Sequence, residues 1–370
     1  MNILISGAGI AGLAGALELG TRGHQVTVVE YADHLRVSGT PIDIRGDAIA
    51  IADRMGLLAE VHAHRIRMSE RTQFVDGTGA PVAPFPLAEI NDSDDDIEVL
   101  RADLLRILVG ALPGTVAIRF GDSPLTLTDG VAGIDVQFAS GRAERYDLVI
   151  GADGQHSAVR RLTFGPDADH LRHLGVYLAL ADHPGAAQSD DVNSIYNVPG
   201  RMAGLFRYHD KAVAVFQFRS DPIDYDHRDL YAQKKILVDT FAGQRSWRIP
   251  ELLDAVRADP DFYFTAASQV RLAAWHRGRV VLVGDAGYCS AFLSGRGTSL
   301  ALTGAHFLAE ELDRCGGDHA AAFSRYETRQ RPYVTAAQDR VDSGRDRMLP
   351  ATWAAIAARN TALRAAAHAE

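Results

Sequence analysis

Two cysteines in 370 residues, Cys289 and Cys315, are too few to staple a small secreted scaffold, and they point to a reducing compartment, the cytoplasm. Positive charge is scarce as well: 38 Lys and Arg stand against 47 Asp and Glu, a formal net charge of −9. Nucleic acid and anionic membrane surfaces reward clustered bases, so neither is an expected partner; a small soluble molecule is. No apolar run is long enough to span a bilayer. The N-terminus, Met1-Asn2-Ile3-Leu4-Ile5-Ser6, lacks the basic start of a secretory signal. The fourteen histidines fall in no His-Glu-x-x-His or Cys-His ligand spacing, and no metal site is expected. Ser157 and Ser294 stand in no nucleophile-elbow context, which removes a hydrolase triad. What the chain does have is 47% hydrophobic residues, enough for a large core, and a length that favours two domains or one with a sizeable insertion.

Asn2 to Ser6 reads as a buried strand, Ala11 to Arg22 as a small-residue helix, and "HQVTVVE", His24 to Glu30, as the next buried strand. Together they make a βαβ unit of about thirty residues, the footprint of a nucleotide-binding sheet. Helical spacing follows from about Asp47 to His64, and the acidic run Asp92 to Asp96 reads as a solvated turn. A second amphipathic helix spans Glu98 to Leu112, after which "AIRF", "LTLT" and "GIDVQFA" read as a meander. Residues His170 to Ser220 are β-rich, Asp229 to Val256 helical, and "FYFTAASQV" leads back to the buried "GRVVLVGDAG". Pro332 to Glu370 is expected to be helical with a break at Pro350; the alanine-rich end could pack on its own domain or on a partner.

Three motifs carry chemistry. "GAGIAG" fits G-x-G-x-x-G between a strand and a helix: Gly7 for the tight turn, Gly9 for close approach of a pyrophosphate, Gly12 for helix-on-strand packing. The amides of Ile10 and Ala11 open that helix, and Glu30 ends the next strand where a carboxylate can accept from both ribose hydroxyls. The second motif, "DLVIGADGQHSAVRR", ends a strand at Gly151 and turns at Asp153-Gly154; turn chemistry and a Ser157 cap explain it as well as a site does. The third, "LVGDAGYCSAFLSGRGTSLAL", ends a strand at Gly284-Asp285 and opens a helix after Gly295-Arg296-Gly297.

In this order the motifs resemble the flavin-dependent monooxygenases of the para-hydroxybenzoate hydroxylase family, over about residues 1 to 335. Gly7, Gly9, Gly12 and Glu30 match the family's glycine fingerprint, Asp153, Gly154, Ser157 and Arg160 its Asp-Gly motif, and Gly284 and Asp285 its Gly-Asp motif. Arg101, Leu104 and Leu108 match its R..L...L helix. The resemblance implies an α/β fold: a Rossmann-like FAD-binding domain (1–70, 98–165 and 272–332), an inserted β-sheet-rich substrate domain (71–97 and 166–271), and a C-terminal helical segment (333–370). It further implies FAD as cofactor, held by Gly7, Gly9, Ile10, Ala11, Gly12, Glu30, Tyr31, Arg101, Asp153, Gly154, Asp285, Gly295, Gly297 and Thr298. Asp285 would bind the ribityl chain, and the helix after Gly297 would face the flavin edge where charge gathers on reduction. NADPH or NADH would visit as transient reductant, and a flavin C4a-hydroperoxide would hydroxylate a hydrophobic aromatic or polyketide-like substrate. Arg45, Tyr196, Arg207, Phe216, Phe218 and Arg296 are the candidate pocket residues. Phe216 and Phe218 share one face of a strand and are equally readable as plain core.

This chain departs from the family around the third motif. Cys289-Ser290-Ala291-Phe292 stands where relatives carry one or two prolines, Tyr288 where His is common, Arg296 for Gln, Ser299 for Asn, and Tyr31 for an Arg after the ribose acid. The altered loop from Tyr288 to Phe292 motivates an alternative: an FAD enzyme with non-oxygenase chemistry, a non-redox cyclase or an oxidase. Cys289 itself reads either as a reactive or flavin-linking thiol or as a small buried hydrophobe. Asp43 and Arg45 read as site residues or as a structural ion pair.

Overall fold

The computed structural model describes residues 1–35, 41–66, 72–86, 93–184, 192–208, 211–227 and 229–367. Gly39 and Thr40, beside the Asp43–Arg45 segment, and Asp92 of the acidic run lie outside them. The near-continuous aliphatic run of Asn2–Ser6 forms the centre of a six-stranded sheet. In spatial order its strands are His276–Arg277, Val280–Leu282, Leu148–Gly151, Asn2–Ser6, Gln25–Glu30 and Val116–Phe120. All neighbours pair in parallel except the first two, which are antiparallel. Parallel strands are buried on both faces, which is why these segments show no polar alternation. The "AIRF" strand is therefore corrected: Val116–Phe120 closes the parallel sheet, and the meander is Pro124–Gly130, Gly133–Phe138 and Ala143–Tyr146.

Two helices cover one face and pack on each other, Ile10–Thr21 and Gly297–Arg314. Small residues set their distance from the sheet: a Cβ on Gly20 would sit 2.6 Å from the Val116 side chain. Between them His306 Nδ1 lies buried 2.8 Å from Glu18 Oε1, and at the rim Arg22 bridges to the half-exposed Asp313 at 2.7 Å.

The second large sheet has seven strands in the order Tyr263–Val270, Leu171–Asp182, Lys211–Arg219, Arg201–Tyr208, Asn193–Val198, Thr72–Val75 and Pro81–Pro84. Its alternation sorts side chains onto two faces. Tyr177, Tyr196, Phe216, Phe218 and Phe264 pack beneath helices Leu230–Thr240 and Ile249–Ala258. Phe74, Leu178, Met202, Val213 and Val215 point the other way, towards Ala291, Phe292 and Leu293 of the second glycine loop. The C-terminal part also covers that face. Helix His319–Asp339 continues through Pro332, the chain breaks at Leu349–Pro350, and helix Trp353–Ala367 docks on the sheet. There Arg359 lies 3.7 Å over the Phe74 ring and donates to the Asn197 amide oxygen at 2.9 Å. Burial lowers its pKa to about 10.

Candidate active site

Each glycine of the first turn answers a separate steric demand. Gly7 has φ +105°, and a Cβ there would lie 2.5 Å from the Ala152 carbonyl oxygen and 2.8 Å from Asp153 Cα. A Cβ on Gly12 would sit 1.9 Å from the Gly7 carbonyl oxygen, whereas one on Gly9 would meet nothing within 4 Å. The open space is thus at the glycine whose neighbours Ile10 and Ala11 begin a helix with no side-chain cap. Unpaired amides at a helix start form a ready anion site.

The second glycine turn meets the first. Gly284 has φ +65°, and a Cβ on it would fall 2.7 Å from the Ala11 Cβ, so the Gly-Asp loop abuts the start of the first helix. Asp285, next along, is open at its surface yet deep enough that burial raises its carboxyl above the ordinary range, against the pull of the Cys289 thiol and the Arg101 and Arg160 guanidiniums. Helix Gly297–Arg314 also begins without a side-chain cap, after Gly295 in a left-handed conformation. Two bare helix starts, an open carboxylate between them and a glycine cradle match what an extended dinucleotide with a central pyrophosphate requires.

The remaining residues around these turns hold the frame. Glu30 accepts from the Ala8 amide at 2.8 Å and the Ala32 amide at 3.0 Å, which fixes it beside the first turn; Tyr31 stands exposed next to it. Asp153 accepts from the Ala158 and Val159 amides at 2.8 and 3.1 Å, and from the Ser157 hydroxyl. Its carboxylate is turned to the helix Ala158–Phe164, which Ser157 also caps. Arg160, fully buried, donates to the Ala286 carbonyl at 3.0 Å and to Asp167 at 2.6 Å. The middle motif is thereby tied directly to the third. Asp167 stays well below the usual carboxylate range; partial burial works against this, and bonds from His156 and Arg160 outweigh it.

At Gly295 the two readings of Asp43 and Arg45 converge. They form an ion pair at 2.8 Å, and the Arg45 guanidinium carbon would be 4.0 Å from a Cβ on Gly295. The Arg45 amide donates to Ser299 Oγ at 2.9 Å. Asp96 joins from the other side, 3.8 Å from Arg45 and 7% exposed, so that end of the acidic run is a buried partner, not a solvated turn. Burial pushes the Asp43 carboxyl above its ordinary range, against the pull of Arg45 and Arg296.

Four of the pocket candidates need correction. Tyr196 packs on Trp247 at 6.1 Å, Phe216 on Phe241 at 4.9 Å, and Phe218 stacks on Tyr177 at 5.2 Å. All three belong to the core on the helix side, away from the glycine turns. Arg207 shares its parity with Leu205 of the same core and donates to the Val192 carbonyl at 3.0 Å. The sequence showed which residues share a face but not which face turns towards the second glycine loop. The departures in the altered loop also resolve. Tyr288 is buried against Trp275, its hydroxyl 3.0 Å from that of Tyr326 and its pKa pushed up to about 12 by burial. Cys289 is 4% exposed, and burial, followed by the nearby Asp285, raises its thiol well above the ordinary value. It is therefore a buried thiol with its proton held, and at Tyr288 the loop change is a change of packing. A groove of about 790 Å³, lined by His276, Glu327 and Arg331 among others, runs along helix His319–Asp339 and shares no residue with these turns.

Known proteins converge on the same assignment. Residues 1–341 match the FAD-binding-domain family. A flavin-dependent monooxygenase from an unknown prokaryotic organism is 38% identical over 344 residues, covering 91% of this chain and 87% of its own. An FAD-dependent monooxygenase of Sarocladium schorii is 33% identical, covering 92% and 86%. The crystal structure of the tetracycline destructase Tet(51) superposes with a TM-score of 0.86 at 33% identity, covering 98% of this chain and 95% of that one. The chain belongs to the FAD-binding family of flavin-dependent monooxygenases. Its cofactor is FAD, and it is an oxidoreductase.

Proposed function

We propose that this enzyme hydroxylates a hydrophobic aromatic or polyketide-like small molecule, with NADH or NADPH as transient reductant. The observation that carries the reading is the meeting of two uncapped glycine turns, Gly284 against Ala11, with Asp285 open between them. FAD held there would supply two-electron redox chemistry between a nicotinamide and O2.

The protein's part is binding, orientation and exclusion of water. Gly9, Ile10, Ala11 and Gly12 would hold the pyrophosphate with backbone amides, and Glu30 with Tyr31 would take the adenosine end. Arg101 and Asp285 would hold the ribityl chain, and the backbone of Gly295, Gly297 and Thr298 would face the flavin edge. Asp153 acts one step removed, since its backbone limits the space at Gly7, while Gly154, with open space around it, would lie against the cofactor. Arg296 adds positive charge at the Gly295 turn, while Arg45 beside it is balanced by Asp43 and Asp96. The tetracycline named for the structural neighbour is an aromatic polyketide, which supports that substrate class.

The test starts from purified protein with a yellow oxidised-flavin spectrum. NADH and NADPH oxidation are followed with and without phenolic polyketides, tetracycline among them, and products are weighed by mass spectrometry. Nucleotide oxidation stimulated by a phenol, with one oxygen atom gained, is expected. Failure of both nucleotides to reduce the flavin with any compound would overturn the reading.

A further inference from the structure

Strand Tyr263–Val270 is an edge of the seven-stranded sheet. Along it Phe264 and Ala266 belong to the helix-side core, while Ala267 belongs to the cleft-side cluster that contains Ala291. Alternation therefore turns Tyr263 towards the cleft. The large apolar side chains that share this face, Phe74, Leu178 and Val215 among them, are buried, yet Tyr263 is 45% exposed. Its phenol nevertheless lies within electrostatic reach of Arg101, Asp285 and Cys289, all outside its own sheet.

We infer that Tyr263 is the substrate-side wall of the cofactor site: its ring and hydroxyl contact the ribityl portion of FAD from across the cleft from Arg101 and Asp285. The inference rests on the assignment of those two residues to the ribityl chain. A tyrosine suits the position chemically, because a phenol offers an apolar face to the flavin and one donor to a ribityl or phosphate oxygen. The ring is exposed in the free protein although its surroundings are poor enough in solvent to raise the phenol above its ordinary range; a ligand that covers it completes that burial.

The test measures FAD affinity of the deflavinated full chain by quenching of flavin fluorescence, for the parent, Tyr263→Phe, Tyr263→Ala and Asp285→Ala. Circular dichroism confirms that each is folded. Tyr263→Ala is expected to weaken FAD about tenfold or more and to alter the visible flavin band shape, with Tyr263→Phe between it and the parent. Tyr263→Ala and Tyr263→Phe that both bind FAD like the parent, with an unchanged spectrum, while Asp285→Ala binds poorly, would overturn the role of Tyr263 and leave the site standing. Parent-like binding by Asp285→Ala would overturn the site assignment and the inference with it. If Tyr263→Ala does not fold, the loss of the hydroxyl in Tyr263→Phe decides the same question through affinity and band shape.

Discussion

Tyr288 and Cys289 show how a residue's chemistry is set by what surrounds it. Both sit in the loop that departs most from the family, and both are buried with their protons held tightly. Unfolded, the thiol titrates near 9.0 and the phenol near 10.0; folded, each titrates higher. The unfolded chain therefore binds fewer protons between those values. This contribution to stability is complete below about pH 9 and is lost as pH rises towards the folded pKa values. The melting temperature should fall as pH rises above about 9, and Cys289→Ser with Tyr288→Phe should flatten that fall. A slope identical to the parent's would show that these groups ionise freely in the fold. Beside them Ala291 holds φ +70°, a conformation closed to proline, whose φ is fixed near −65°. Proline is incompatible with this backbone at that position.

Among the elements, the strand-turn-helix at the N-terminus separates fold from function within six residues. Gly9 and Gly12 look alike in the motif, but only Gly12 is hemmed in by the protein. Gly12→Ala must push the helix off the Gly7 carbonyl and is expected to cost about 2–4 kcal/mol in a urea melt. Gly9→Ala, at φ −78° with open space around it, should leave stability within about 0.5 kcal/mol while abolishing retention of flavin. Denaturant melts and the absorbance of purified protein measure both. Comparable destabilisation by the two substitutions would make Gly9 structural and remove the cradle from the site.

At the scale of the whole molecule, the site exists because Gly284 touches Ala11 and Arg160 reaches Ala286, contacts between segments more than a hundred residues apart. FAD bound across such contacts stabilises the folded state alone. A free concentration a hundred times the Kd should add about 2.7 kcal/mol, read as a melting temperature several degrees higher by scanning fluorimetry and absent in Asp285→Ala. No shift at saturating FAD in the parent would contradict a cofactor seated between these turns. The sequence by itself determined the local pieces: the βαβ unit, the glycines at strand ends, and the acid on each strand or turn. Local φ and ψ demands and hydrophobic period write these into neighbouring residues. What only the tertiary structure decided is direction and company. Period two told that Phe216 and Phe218 share a face but not that the face lies under helices, that Tyr263 looks into the cleft, or that Asp96 is buried against Arg45. Those outcomes depend on which surface of a sheet the rest of the chain covers, and no short window of residues contains that information.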